Sequence, residues 1–281
     1  MKQYLLTQVR IEHYQQYLYE EERSEATIEK YLRYINRFAQ WLESRNVTKE
    51  LVLEWKRLQI SNGYAASTIN AGLSALNGLF RFLGWGCFHV RFLRVQRRSF
   101  RVSSKELTKP EYRQLCVTAR KAGKEKAALL METIGSTGIR VGEIRYITVE
   151  NVQAGRADIW LKGKLRTILL PFRLCRRLLR YAKKQGIKSG EIFRGQNGKP
   201  IKRYAVWYAM KQISILAGVE ATRVFPHNLR HLFAVTYYKM YHDIAKLADI
   251  LGHSSLETTR IYLLTTGAEH QKQLENLQLL N

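Results

Sequence analysis

The stretch LGHSSLETTRIY, residues 251–262, says most about the fold, because it places His253 nine residues before Tyr262. Working outward from this stretch, three further segments carry arginine, histidine or lysine in patterns suited to phosphate chemistry: HNLRH at 227–231, KGKLR at 162–166 and TGIRVGE at 137–143. Each segment alone is a weak signal, since a single arginine or histidine in such a setting most often has a structural role. Taken together, they predict a centre that acts on a phosphodiester.

The chemistry of a phosphodiester explains why these residue types belong together. Nucleophilic attack builds negative charge on the non-bridging oxygens, and the guanidinium groups of Arg140 and Arg230 suit that charge because each donates two hydrogen bonds and stays protonated. The phenol of Tyr262 has an ordinary pKa of about 10 and must lose its proton as it attacks. His227 or His253 is able to serve as the base, and a lysine on a hairpin tip is able to protonate the departing alkoxide.

A metal site is the competing interpretation of the histidines. His227 and His231 are four residues apart, as zinc ligands on a helix are, and His253 is a possible third ligand. Zinc needs unprotonated ligands in a compact shell, whereas these histidines have cationic neighbours, and no glutamate stands where a zinc-protease helix requires one. The sequence also has no GxxxxGK[ST] loop. We therefore expect neither a metal nor a nucleotide cofactor.

With these segments in place, the chain resembles the tyrosine site-specific recombinases, a family that includes the Xer-type resolvases and the integrases of phages and transposons. TGIRVGE resembles the family's first arginine segment, HNLRH its H-x-L-R-H box, and LGHSSLETTRIY its L-G-H box with the nucleophile nine residues later. The resemblance implies catalytic roles for Arg140, His227, Arg230, His253 and the nucleophile Tyr262, with Glu143 as a supporting carboxylate. It also implies DNA cleavage and rejoining through a 3′-phosphotyrosyl intermediate, without metal or ATP.

The catalytic lysine lies on a predicted β-hairpin. Short apolar runs at 157–161 and 167–170 flank KGKLR, which predicts two strands joined by a basic tip. The family hairpin usually reads K-G-x-K-x-R, and KGKLR is one residue shorter. Lys162 is the catalytic lysine if the deletion follows Gly163, and Lys164 is the alternative. We favour Lys162 and expect Lys164 and Arg166 to contact DNA.

The N-terminal third predicts a small helical bundle. Apolar residues recur at helical spacing from Ile28 to Leu42 after a candidate N-cap at Ser24, and from Ile69 to Leu83 after one at Ser67. A shorter helix is predicted over 50–59. This bundle resembles the family's core-binding domain and is assigned to residues 1–92. The fold is thus predicted to be mainly α with a small β-sheet, with the bundle followed by a mixed α/β catalytic domain.

A basic linker is predicted over 93–106, because the stretch 91–105 holds no acidic residue. Four of its arginines are expected to follow a DNA backbone, namely Arg94, Arg97, Arg98 and Arg101. The catalytic domain is assigned to 107–281. It begins with a helix capped by Thr108, has helices through Glu143, and returns to helices from Phe172 onward.

Composition points to a polyanionic partner. The 281 residues carry 47 Lys and Arg against 23 Asp and Glu, a formal net charge of +24. Such an excess favours nucleic acid, because neutralising phosphates releases condensed counterions. Ten of the basic residues and no acidic residue fall within 161–190. There is no signal-peptide core and no apolar run long enough to span a membrane. The three cysteines are scattered, so we expect a reducing, cytoplasmic and nucleoid-associated location.

The resemblance also implies an assembly on DNA. The family acts as a homotetramer on two duplexes, with a dimer at each inverted-repeat core site, and some members need a second recombinase or an accessory factor. The C-terminal leucines, Leu274, Leu277 and Leu280, predict a helix that docks on a neighbouring subunit or on its own domain. Since the chain begins with the bundle, we expect a short core site without an additional arm-binding domain.

Two other functions fit parts of the sequence. A type IB topoisomerase uses a similar set of arginine, lysine, histidine and tyrosine but relaxes supercoils without choosing a site. A non-catalytic DNA-binding accessory protein would explain the charge but not the ordered catalytic set. Within the recombinases, the high charge leans towards a mobile-element integrase, while nothing in the sequence separates such an integrase from a chromosome-dimer resolvase.

Overall fold

The computed structural model describes residues 3–94, 106–161, 164–195, 198–262, 271 and 274–277. The chain divides into two compact units, Met1–Arg97 and Arg98–Asn281. The division falls inside the predicted linker. Arg94 is exposed, whereas the other predicted linker contacts lie outside the described residues, namely Arg97, Arg98 and Arg101. Among the described helices, none is long and apolar enough to cross a membrane.

The described part of the first unit is helical, as predicted. Its helices are α1 (Gln8–Glu20), α2 (Glu25–Leu42), α3 (Lys49–Ser61) and α4 (Ala66–Phe82). Helix α4 packs against the other three, and Phe80 is fully buried where it meets Phe38 and Trp85. Because most of the apolar side chains of α4 lie in this core, tertiary packing rather than helix propensity holds the bundle together.

The predicted helix starts are right for α2 and wrong for α4. Ser24 is the N-cap of α2, although its hydroxyl contacts Thr27 rather than a backbone N–H. Ser67 is not a cap, since α4 begins at Ala66 with Ala65 in the N-cap position. Alanine has the highest helix propensity, which extends the helix past the serine that would otherwise cap it.

Two asparagines on α4 fix the segment that leaves the bundle. Asn77 donates to the carbonyl of Val90 at 3.0 Å and accepts from its N–H at 3.2 Å. Asn70 makes the same pair of bonds with Leu93, at 2.9 and 2.8 Å. Residues seven apart share a helix face, so both side-chain amides point to the same side of α4. They make the hydrogen bonds that a neighbouring strand would otherwise make to the backbone N–H and C=O groups of Val90 and Leu93.

A glycine on α4 makes room for a buried tyrosine. A Cβ built at Gly78 would stand 2.5 Å from the hydroxyl of Tyr14, whose ring is almost fully buried. We predict that Gly78→Ala destabilises the protein by about 1–3 kcal/mol through overpacking. In a Tyr14→Phe background the same change should instead stabilise by up to about 1 kcal/mol, because the clash is gone and the helix propensity gain remains. Urea unfolding of the four variants checks this, and equal effects in both backgrounds would contradict it.

The second unit has its helices arranged around a central one. In chain order its described elements are α5 (Lys109–Lys121), α6 (Glu125–Thr137), α7 (Val149–Gln153), β1 (Arg156–Leu161), β2 (Lys164–Leu169), α8 (Phe172–Lys184), α9 (Arg203–Leu216), α10 (Pro226–Tyr241), α11 (Ile244–Leu251) and α12 (Leu256–Arg260). Helix α6 packs against α5, α8, α9 and α10, and most of its residues are buried. Its C-terminal end therefore lies inside the unit, next to α10.

The start of the second unit is as predicted. The Thr108 hydroxyl accepts from the N–H of Glu111 at 3.3 Å, and the Glu111 carboxylate accepts from the N–H of Thr108 at 2.8 Å. This reciprocal pair is a capping box. The next helical stretch ends earlier than predicted. Helix α6 stops at Thr137 because Gly138 adopts a positive φ of 65°, and a 3-10 turn over Val141–Tyr146 follows.

The β-hairpin is confirmed, with a shorter tip than expected. Strands β1 and β2 pair antiparallel with Leu161 opposite Lys164, so the connection is residues 162–163. Lys164 and Arg166 belong to β2 rather than to the tip. Of the predicted C-terminal helix, only 271 and 274–277 are described, with Leu274 and Leu277 exposed and Leu280 outside the described residues. Its docking stays a prediction.

Candidate active site

The second unit contains a cleft of about 690 Å³ that brings most of the predicted site residues together. They reach it from four places: the 3-10 turn after α6, the first turn of α10, the end of α11 and the residues after α12. The predicted residues that line the cleft are Arg140, Glu143, His227, Arg230, His253 and Tyr262. Lys162 lies outside the described residues, and only the backbone of Lys164 is described, so the choice of lysine stays a prediction.

The carboxylate of Glu143 organises the cationic side of the cleft. It is buried, with 2% of its surface exposed. It accepts from the backbone N–H of Arg140 at 2.9 Å, from the Arg140 guanidinium at 3.0 Å and from Arg166 at 2.8 Å. The Arg140 Nη2 also donates to the Gly252 carbonyl at 3.2 Å. These bonds fix the direction of a half-exposed guanidinium before any substrate arrives.

Arg166, one of the residues expected to contact DNA, has a side chain that is held inside the protein. Its side chain is 11% exposed and bonds Glu143 and the carbonyl of Ile250, the latter at 2.7 Å. Burial lowers its pKa, and Glu143 opposes that shift. The strand pattern explains the orientation, since Arg166 lies on the same strand face as the buried Ile168. The residue therefore ties the hairpin to the end of α11, and a contact between Arg166 and DNA stays a prediction.

Arg230 is a buried cation held mainly by helix ends. It is 3% exposed and donates to the carbonyl of Gly138 at 2.6 Å and to that of Leu251 at 2.8 Å. These carbonyls close α6 and α11, where the helix dipole is negative. Burial, followed by the charge of Arg140, lowers the pKa of Arg230 to about 10. It therefore stays protonated at neutral pH, and none of its described partners is a carboxylate that would compete with a phosphate.

His253 is neutral and held in one tautomer. Its Nε2 lies 2.9 Å from the Arg230 Nη2, and its Nδ1 lies 2.8 Å from the Thr259 hydroxyl. Since a guanidinium only donates, Nε2 must accept and Nδ1 must carry the hydrogen. Burial, then the charges of Arg230 and Arg140, lowers the pKa of His253 to about 4. Burial also lowers the pKa of His227, which lies at the exposed side of the cleft.

Tyr262 lies between two imidazole rings. Its side chain is 3% exposed, the His253 ring is stacked at 5.9 Å between centroids, and the His231 ring lies at 5.2 Å. The N–H of Tyr262 donates to the carbonyl of Thr259 at 3.0 Å, so one threonine positions both the histidine and the tyrosine. The phenol lies close enough to Arg230 to offset part of the lowering of that arginine's pKa.

Three residues of the site were not assigned a role from sequence. His231, considered there only as a metal ligand, contacts Tyr262 and pairs with Glu106 at 3.0 Å. Arg145 and Arg203 line the cleft, and Arg203 passes so close to Gly142 that a Cβ there would stand 2.7 Å from its Nη2. That glycine belongs to the TGIRVGE segment, and it was the one sequence feature that pointed to a side chain packed closely at this position. Among the described residues, no group of three His, Cys, Asp or Glu side chains is arranged to bind a metal.

The fold is that of site-specific DNA recombinases. The chain superposes on a lambda integrase dimer bound to a COC′ core site with a TM-score of 0.74 and 18% identity, covering 94% of this chain and 96% of that one. It superposes on XerH recombinase bound to difH substrate with a TM-score of 0.70 and 19% identity, covering 95% of this chain and 84% of that one.

Sequence comparison identifies the family. The phage integrase family matches residues 105–268, and the phage integrase N-terminal SAM-like domain matches residues 11–86. Tyrosine recombinase XerA of Pyrococcus furiosus is 27% identical over 96% of this chain and 94% of its own length. Tyrosine recombinase XerD of Haemophilus influenzae is 28% identical over 88% of this chain and 90% of its own length. The chain therefore belongs to the phage integrase family, and it is a tyrosine recombinase.

We predict that Glu143→Gln lowers the free energy of unfolding by about 2 kcal/mol, since a buried bond to a charged group is lost while two arginines stay in place. Glu257→Gln, at an exposed i,i+3 pair with Arg260, is the matched control and should cost less than about 1 kcal/mol. Urea unfolding of both variants decides it. Equal costs would mean that Glu143 does not organise the cleft.

The low pKa of His253 predicts a pH dependence of stability. Between about pH 6.5 and pH 4 the unfolded chain binds a proton at this residue and the folded protein does not, so stability falls as the pH falls through this window. His253→Gln should flatten that slope, whereas replacing the exposed His13 with Gln should leave it unchanged. Denaturant unfolding from pH 4 to pH 7 measures the slopes, and a slope unaltered in the His253 variant would contradict the assignment.

Proposed function

We propose that this recombinase cleaves and rejoins duplex DNA with Tyr262 as its nucleophile. The observation that carries the proposal is the position of the Tyr262 phenol, which lies beside Arg230 and against the neutral ring of His253. The phenol oxygen attacks the phosphorus and forms a 3′-phosphotyrosyl bond, while the bond from phosphorus to the 5′ oxygen breaks. Attack by a 5′ hydroxyl then reverses the step and joins a new strand.

The two arginines form the phosphate clamp in this scheme. Arg230 is charged and buried, and Arg140 is directed by Glu143 into the open side of the cleft. Both guanidiniums are fixed before substrate binds, so the negative charge that develops on the non-bridging oxygens meets a preorganised positive field. Arg145 and Arg203 extend that field along the cleft.

The proton of the phenol passes to an imidazole. Both His227 and His253 have lowered pKa values and are neutral at working pH, so each is able to accept a proton. The Nε2 of His253 already accepts from Arg230, which favours His227 as the acceptor and His253 as the residue that holds the phenol and the guanidinium together. The departing 5′ oxygen receives its proton from Lys162, with Lys164 as the alternative on the same hairpin.

DNA and other copies of the chain are the proposed partners. Similar solved structures include XerH bound to difH substrate and a lambda integrase tetramer bound to a Holliday junction. We propose the same for this chain, as a dimer on each inverted-repeat core site and a tetramer on two duplexes, acting in the cytoplasm at the nucleoid. Exposed Arg94 is proposed to contact the DNA backbone, as are Arg97, Arg98 and Arg101 in the linker.

We predict that Tyr262→Phe abolishes covalent attachment to DNA while leaving binding within about threefold. The phenol oxygen is the atom that forms the bond, and the ring that packs between the histidines remains. The substrate is a set of nicked duplexes from the DNA that flanks the gene, and the readout is detergent-resistant protein–DNA adducts. Tyr241→Phe, at an exposed tyrosine of α10, is the control and should form adducts normally. Adducts in the Tyr262 variant would refute the assignment.

A further inference from the structure

We propose that the exposed basic face of α8 is a second DNA-binding surface, separate from the catalytic cleft. This surface, the α8 basic face, consists of Arg173, Arg176, Arg177, Arg180, Lys183 and Lys184. These six residues account for most of the ten basic residues found without any acidic residue in 161–190. The rest of that run is the hairpin and Lys188, so the catalytic chemistry does not explain the charge on the helix.

Helical spacing puts all six cations on one stripe. Counted from Arg173 they fall at i, i+3, i+4, i+7, i+10 and i+11, which share one side of a helix. Each of them is exposed, while the opposite side is buried in the core through Leu174, Cys175, Leu178, Tyr181 and Ala182. The stripe extends about 17 Å along the helix axis, long enough to run beside several phosphates of one duplex.

Among the described residues, ion pairs neutralise two of these six cations. Arg177 pairs with Glu132 at 2.7 Å and Lys184 pairs with Glu125 at 3.1 Å. No described ion pair joins any of the other four to a carboxylate, namely Arg173, Arg176, Arg180 and Lys183. Like charges at i,i+3 and i,i+4 destabilise a helix by about 0.2–0.5 kcal/mol per pair. A polyanion on this face would offset that repulsion.

The surface around the α8 basic face is also positively charged. The ring of Phe172 is 78% exposed, and Arg176 lies over it at 5.9 Å. Between α8 and α6 lies a groove of about 400 Å³, where Arg120 adds a cation to those of Arg177, Arg180 and Lys184. Two carboxylates in this groove, Glu125 and Glu132, leave it with a net positive lining.

The groove beside the α8 basic face and the catalytic cleft lie at opposite ends of α6. The groove is lined by the N-terminal part of α6, from Glu125 to Glu132, and the cleft lies beyond the C-terminal end of α6, after Gly138. From Glu125 to Gly138 is about 20 Å at the α-helical rise. The two cavities share no lining residue. Phosphates held in the cleft are therefore not the ones that Arg177, Arg180 and Lys184 reach.

Double-stranded DNA is the occupant that this charge and shape fit. The cations are evenly spread along a straight helix, and phosphate contacts of this kind carry no sequence information. The surface would hold a second duplex segment without sequence preference while a core site occupies the cleft. The inference rests on the proposed function only in that the chain acts on DNA.

The test uses a protein whose cleft is already filled. A nicked duplex is trapped covalently on Tyr262, and binding of a second, labelled 30-base-pair duplex of unrelated sequence is measured by fluorescence anisotropy. The variant replaces Arg173, Arg176, Arg180 and Lys183 with Gln and keeps the two paired cations. The matched control replaces four exposed cations elsewhere in the same unit with Gln: Lys109, Arg113, Lys199 and Lys246.

We expect the α8 variant to bind the second duplex at least tenfold more weakly than the unaltered chain, and the control to change it less than threefold. The salt dependence of that binding should fall by about 3–4 in the slope of log K against log salt, near 0.9 per lost phosphate contact. Adduct formation on the first duplex should be unchanged. Equal second-duplex binding by the α8 variant and the unaltered chain would overturn the proposal, as would equal losses in variant and control.

If the proposed cleavage function is wrong, the experiment gives a different set of results. If the unaltered chain forms no adduct, the salt slope is measured instead on one long duplex without trapping. A slope lower by about 3–4 in the α8 variant alone would then support the surface even though cleavage is absent. Equal slopes in the variant and the unaltered chain would overturn it. Tighter binding of an acidic polypeptide than of DNA to α8 would also overturn it.

Discussion

The buried carboxylate of Glu143 is the constraint on which the rest of the site depends. It holds Arg140 through the backbone and the side chain and holds Arg166 at the same time. Removing a carboxylate from water is costly, and the two guanidiniums offset that cost only while both stay within bonding distance. The 3-10 turn, strand β2 and the end of α11 are thereby held to one another, and the cleft acquires a fixed wall.

The site concentrates more positive charge than the Glu143 carboxylate neutralises. Arg230 is held by the carbonyls that end α6 and α11, which stabilise a cation without the full charge of a carboxylate. The nearby histidines respond by staying neutral, since burial and the arginines lower their pKa values. A centre of this kind attracts a phosphate strongly and still contains groups able to accept a proton.

The sequence predicted those features whose residues lie close together in the chain, and it missed those that depend on contacts between distant segments. The helical bundle, the helix cap at Thr108 and the hairpin follow from spacing within short segments, and the structure has them. The cleft was predictable because three of the four short motifs, TGIRVGE, HNLRH and LGHSSLETTRIY, each carry residues into it. The inward orientation of Arg166 was not predicted, because it depends on strand alternation and on a carboxylate 23 residues away. His231 and Arg203 were missed because their contacts, with Glu106 and Gly142, join segments far apart in the chain.

Because Arg166 anchors the hairpin from inside the protein, the register of its strands does not depend on the length of the connection between them. The strand register is fixed by bonds from Arg166 to Glu143 and to the Ile250 carbonyl, and neither bond involves the connection between the strands. An insertion or deletion in that connection would leave both of these bonds in place. The connection is thus a position at which protein engineers can change the length of the hairpin while Arg166 keeps its bonds to Glu143 and to the end of α11.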